Sequence, residues 1–104
     1  MNYLNKIDQL KIRRAERILR LLGGERTSLV IKILNREHYI SVNDITELAT
    51  KESDRKFSQP EVSKILGDLK RYGIADSERH GKYVFYSLDH EFLKKLVNKV
   101  YAIT

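Results

Sequence analysis

The chain has 104 residues, a length that fits one domain, 1–104, with a core of its own. Hydrophobic residues make up 41% and charged residues 33%, which excludes a disordered chain, and the lack of cysteine excludes disulfides and thiolate metal sites. Lys and Arg number 20 against 14 Asp and Glu, a net charge of +6 that suits a polyanion such as nucleic acid.

The N-terminal MNYLNKIDQL has no apolar run of the signal-peptide kind. No stretch approaches the roughly 18 apolar residues of a membrane span, so a cytoplasmic address is expected. A first helix is predicted over 3–22. Leu4, Ile7, Lys11, Ile18 and Leu22 approximate one stripe, with Leu10 and Leu21 beside it. Arg13, Arg17 and Arg20 fall on another face. Residues 1–40 carry nine basic and four acidic side chains, so most of the positive excess sits here. Gly23-Gly24 should end the helix in the left-handed conformation. A helix of about 20 residues is roughly 30 Å long, too much to bury inside so small a domain, so part of it should meet a partner.

A second helix follows over 26–36, with Leu29, Val30, Ile33 and Leu34 inward and Thr27 or Ser28 as cap. His38 reads as a loop residue that packs beside Tyr39. A third helix begins at Ser41, capped by its own hydroxyl with Asp44 three residues on. Ile45, Leu48 and Ala49 point inward. Lys51–Phe57 is polar and breaks the pattern.

The fourth helix has the strongest start signal. Ser58 is followed by Glu61, the spacing of a capping box, and Pro60 sits in the first turn where it removes no hydrogen bond. Val62, Ile65, Leu66 and Leu69 form its inner stripe, and Tyr72-Gly73 ends it. Two β-type runs, 74–79 and 82–88, flank His80-Gly81 and predict a hairpin. Asp89 can cap a last helix to about residue 102.

Two short helices, the second opening on small polar residues, make a helix-turn-helix candidate over 41–72. A helix fits the major groove and its first turns meet base edges. Ser58, Gln59, Ser63 and Lys64 supply short donors and acceptors there: Gln pairs with adenine and Lys reaches guanine. Lys70 and Arg71, two turns later, are placed for phosphate. Arg79, His80 and Lys82 sit in the hairpin loop, where backbone or minor-groove contacts are made.

These stretches resemble a known family. GERTSLVIKILN, SVNDITELA and SQPEVSKILGDLKRYGIADSERHGKYVFYSL, within 24–88, are similar to the ArsR (arsenic-repressor) type of winged-helix regulators. The resemblance implies a mainly α fold with a small hairpin, in the order α-α-α-α-β-β-α. It implies that the fourth helix reads DNA, that 74–88 form the wing, and that 1–22 and 89–104 build a dimer. Ser58, Gln59, Ser63 and Lys64 match the recognition-helix positions, and Arg79 and Lys82 the wing. The expected function is a homodimeric regulator of transcription, a repressor, bound to double-stranded DNA.

The chain departs from that family in three places. TKESDRKF, between the third and fourth helices, is longer than usual. Ile65 replaces a polar residue. The metal-sensing motifs are missing: there is no Cys, and after Asp89, His90 and Glu91 the last helix offers no further His. No metal site, cofactor or catalytic set is therefore expected, and no inducer is legible. The alternative, favoured by a net of only +2 over 51–83, is a winged helix that binds protein and not DNA.

Overall fold

The computed structural model describes residues 6–91, with nothing said of the side chains of residues 6–8 and 11. The predicted last helix, and with it the dimer helix expected over 89–104, falls almost entirely outside the described residues, as does the start of the first.

Helix α1 (Lys6–Leu22) ends at the glycine pair, but neither glycine takes the left-handed conformation. Gly24, at φ −72° and ψ 138°, is instead the N-cap of α2 (Glu25–Glu37). The expected caps do other work. Thr27 is buried, and Ser28 Oγ donates to Leu22 O at 3.0 Å, satisfying a carbonyl of the last turn of α1. On α1, Ile18 is buried and Leu21 and Leu22 are half-buried, whereas Leu10 is 61% exposed.

Helix α2 lays Val30, Ile33 and Leu34 into the core with no exposed surface. It ends at His38, which does not pack: it is exposed and holds φ 68°, a conformation uncommon outside glycine, while its N–H donates to Leu34 O at 2.9 Å. That reversal sends the chain directly into β1 (Ile40–Ser41), a strand not foreseen from the sequence. Ser41 then caps α3 (Val42–Glu52), its Oγ accepting from Asp44 N–H at 3.2 Å. Ile45 and Ala49 of α3 are fully buried and Leu48 only half.

The long link after α3 is not merely polar. Phe57 is 4% exposed and belongs to the core. Its N–H donates to Thr50 Oγ1 at 3.1 Å, and the same hydroxyl donates back to Phe57 O at 3.4 Å. The Arg26 guanidinium lies 4.7 Å from the centre of the Phe57 ring. The extra residues thus loop outward between two fixed ends.

Helix α4 (Gln59–Arg71) starts at the predicted cap, Ser58 Oγ accepting from Glu61 N–H at 3.2 Å. The second half of the capping box goes elsewhere, since the Glu61 carboxylate pairs with Arg26. Val62, Leu66 and Leu69 are fully buried; Ile65, expected with them, is half-buried. Gly73, at φ 76°, stops the helix: its N–H donates to Lys70 O at 3.0 Å and that of Ile74 to Leu69 O at 2.8 Å. These are the paired bonds of a Schellman motif, with Ile74 and Leu69 both buried beside them.

Strands β2 (Ala75–His80) and β3 (Tyr83–Leu88) form the expected hairpin, antiparallel from Ala75↔Leu88 to His80↔Tyr83. The turn sits one residue later than predicted. Gly81, at φ 63°, and Lys82 make it, because a two-residue hairpin loop needs positive φ at its first position. The hairpin is not alone: β1 pairs with β3, Ile40↔Tyr86 and Ser41↔Phe85, giving a three-stranded antiparallel sheet in the order β1-β3-β2.

Phe57→Ala is expected to lower the unfolding free energy by about 3–5 kcal/mol, the cost of emptying a filled aromatic site. Urea unfolding of the variant measures this, and a loss below about 1 kcal/mol would place Phe57 outside the core.

Candidate nucleic-acid interface

One face of the first two turns of α4 stands open to solvent, because the stripe Val62, Leu66 and Leu69 buries the opposite face. Gln59 and Ser63, four residues apart, share one exposed face. The Schellman stop at Gly73 returns the chain along that face, so the hairpin lies beside it. One open groove results, lined by Gln59 and Ser63 of α4, by Ser41, Val42 and Asn43 at the start of α3, and by Arg79, Lys82, Tyr83 and Val84 of the hairpin.

Strand alternation decides which basic residue of the hairpin faces the groove. Arg79 stands opposite Val84, on the side of the sheet that packs on the core. His80, one residue on, is directed to the other side. It is not in the turn, and its ring meets Phe85 edge-on at 5.7 Å and Glu78 Oε2 at 3.4 Å. Lys82, in the turn, lies with its Nζ 5.4 Å from the centre of the Tyr83 ring. Asn43, which the sequence reading passed over, joins the groove through its place in the first turn of α3. Its only signal in the sequence is its position just after the Ser41 cap.

The remaining expected residues fall outside this groove. Ser58 is exposed, with its hydroxyl engaged in the cap. Lys64 is exposed on the next strip of α4, about 100° round from Ser63. Lys70 Nζ donates to Ser77 Oγ at 2.6 Å and ties the end of α4 to β2. Arg71 points away from the wing, donating to Asp68 Oδ1 at 3.0 Å, with its guanidinium 5.3 Å from the centre of the Tyr72 ring.

Two ion-pair systems brace the helices that carry the groove. Arg26 of α2 holds Glu61, in the first turn of α4. Arg36 of α2 clasps Glu52, at the end of α3, through two bonds of 2.6 and 2.9 Å, which hold the Glu52 carboxyl below the usual carboxylate range. The outer face of the sheet is different in kind. Tyr39 stacks on Phe85 with ring centres 5.0 Å apart, and its hydroxyl donates to Glu78 at 2.8 Å. The Tyr39 bond, followed by His80, holds Glu78 below its ordinary pKa; burial and then the same bond raise the Tyr39 hydroxyl. Among the described residues no three His, Cys, Asp or Glu side chains come together as a metal site would need, and no helix is long and apolar enough to cross a membrane.

No protein-family model matches the chain. Two curated relatives are similar to it: a biofilm growth-associated repressor of Agrobacterium fabrum, 40% identical over 45 residues, and a cadmium resistance transcriptional regulatory protein homolog of Staphylococcus aureus, 29% identical over 85 residues. The matches cover 43% and 82% of this chain, and 38% and 65% of the two relatives, so the chain spans less than two thirds of either. Among solved structures it resembles the homodimeric winged helix-turn-helix DNA-binding domain of a possible ArsR-family transcriptional regulator from Mycobacterium bovis. The TM-score is 0.71 at 17% identity, covering 99% of this chain and 89% of that one. That likeness establishes the fold. The chain is a winged helix-turn-helix, with α3 and α4 as the helix pair and β2–β3 as the wing, in the architecture of ArsR-family regulators.

Proposed function

We propose that this chain is a sequence-specific, double-stranded DNA-binding regulator of transcription, a repressor of the ArsR kind, acting as a cytoplasmic homodimer. The observation that carries this reading is the single groove in which Gln59 and Ser63 of the helix lie across from Arg79 and Lys82 of the wing. Polar side chains on a helix that can enter the major groove read base edges, and cations on a flanking hairpin hold phosphate. Lys64 and Lys70 add charge beside the reading face, and Ser58 fixes where that face begins. The relatives are named a repressor and a transcriptional regulatory protein, and the Mycobacterium domain a DNA-binding one, in keeping with this role. Regulation here proceeds without metal sensing, a reading supported by the absence of Cys and by the scarcity of His in the sequence.

The homodimer rests on α1. Ile12, at 43% exposure, and Leu19, at 54%, stand on one side of the helix with the exposed Ala15 between them. This i, i+3, i+7 stripe faces solvent, not the core, and a second copy would cover it. The Mycobacterium domain is described as homodimeric. The helices of 1–22 and 89–104 supply the interface in this reading.

A protein-binding role has one observation in its favour: the aromatic and acidic outer face of the sheet, with Tyr39 47% exposed beside Glu78. The cations of the groove, on the helix side of the sheet, favour the DNA-binding reading over it.

Gln59→Ala with Ser63→Ala is expected to weaken binding to a selected duplex at least tenfold, with binding to a scrambled duplex and thermal stability nearly unchanged. Arg79→Ala with Lys82→Ala should instead weaken both duplexes alike and flatten the salt dependence by about one to two units of log–log slope. Fluorescence anisotropy on both duplexes separates the two, and equal selectivity in parent and Gln59/Ser63 variant would overturn the assignment. Ile12→Asp with Leu19→Asp is expected to leave a monomer in sedimentation at tens of micromolar. A dimer surviving both changes would place the interface elsewhere.

A further inference from the structure

The reading groove does not use the chain's densest positive charge. Arg13, Arg14, Arg17 and Arg20 are all exposed on α1, and none forms an ion pair with another described residue. Like charges so close together repel one another, which is a cost in the free chain unless an anion is present.

The fold places these arginines beside α4. Two shallow depressions adjoin along the junction. Arg13, Arg14 and Arg17 line one together with Arg71 and Tyr72, and Arg17 and Arg20 line the other with the same two residues and Asp68. Asp68 is the one acidic residue in either lining and is already bonded to Arg71. The apolar seam assigned to the dimer leaves the arginines open, since Arg17 lies roughly 160° round the helix from Leu19.

Their position relative to the wing is informative. Lys70 reaches the wing through Ser77, and Arg71, about 100° further round α4, turns to α1. The exposed strip of α4 therefore runs between two basic borders: the wing on one side, and α1 with Arg71 on the other. A helix lying in the major groove likewise has one phosphate backbone on each side. The stripe from Arg13 to Arg20 extends about 10 Å along α1 at 1.5 Å per residue, and it is open along its length. A trough of that form cannot enclose and desolvate a compact anion, but it suits a line of phosphates held by charge and by bidentate guanidinium contacts.

We infer that the arginine stripe of α1, with Arg71, is a second phosphate-contacting surface, which grips the DNA backbone on the side of the recognition helix opposite the wing. This rests on the DNA-binding reading above and adds to it a role for the helix otherwise assigned to dimerisation. The surface carries affinity and no sequence information, because phosphates are alike at every base pair.

The test compares two variants of equal charge loss in the full chain, Arg17→Ala with Arg20→Ala, and Lys32→Ala with Lys51→Ala. All four positions are exposed on helices; the two arginines line the depressions, and the two lysines lie outside both. Alanine favours the helix, and sedimentation confirms that the dimer persists. Binding to a selected and a scrambled duplex is measured from 50 to 300 mM salt. The arginine pair is expected to flatten the log–log slope by about two units, at roughly 0.9 per phosphate contact, and to weaken both duplexes by the same factor. The lysine pair should change the slope by less than about half a unit. Equal flattening by both pairs shows an effect of net charge alone and overturns the proposal, as does no flattening by the arginine pair. A parent that binds neither duplex fails at an earlier point and overturns the DNA-binding reading itself.

Discussion

Val62, Leu66 and Leu69, a stripe of α4 with no exposed surface, pack with Ile33, Leu34 and Ile45 and fix which side of that helix meets solvent. Burying each such side chain stabilises the fold by roughly 1.5–3 kcal/mol, so rotating α4 to show a different face would forfeit several of these at once. The same stripe sets where α4 ends. Leu69 accepts the Ile74 N–H, Ile74 is itself buried, and its carbonyl accepts from Asp89 N–H at 2.7 Å where the sheet finishes. Helix rotation, helix stop and wing position are thus one constraint. Gln59 and Ser63 face Arg79 and Lys82 because the core leaves the chain no other way to run.

What could be read in the sequence was what local chemistry decides. The Ser58 and Ser41 caps, most of the apolar stripes of α2 and α4 and the hairpin depend on residues a few positions apart, and these stand as expected, except that Leu29 and Ile65 are only half-buried and the turn lies one residue later. What escaped notice depends on distant partners. Strand β1 has only two residues and exists through pairing with Tyr86 and Phe85, more than forty positions later. Phe57 looked like part of a polar link because its packing partners, Arg26 among them, lie in another helix. Glu61 was given to its own capping box, yet a guanidinium 35 residues earlier holds its carboxylate, a charge-assisted contact that a neutral N–H does not outbid. The turn, expected at His80-Gly81, falls at Gly81-Lys82, which puts His80 in the strand and Lys82 in the turn.

The candidate groove was legible only in part, since the sequence names side chains without saying which of them come together. Eight residues expected at DNA divide into a groove set, Gln59, Ser63, Arg79 and Lys82, and residues beside or beyond it: Ser58, Lys64, Lys70 and Arg71. A helical wheel alone cannot make that division, since it does not say where the wing lies. The sheet also separates two chemistries by alternation, with cations toward α4 and an aromatic, acidic cluster of Tyr39, Phe85 and Glu78 on the outside. A polyanion would be attracted to the first surface and repelled by the second, which would favour one orientation of approach.

The central claim is that duplex DNA enters the groove between α4 and the wing. Backbone amide shifts of the isotope-labelled protein, followed during titration with a selected duplex, test it most directly. The account predicts that the largest changes fall on Asn43, Gln59, Ser63, Arg79 and Lys82, with Tyr39, Asp76, Glu78 and Phe85 nearly still. Changes gathered on that outer face, with the groove amides unmoved, would contradict it.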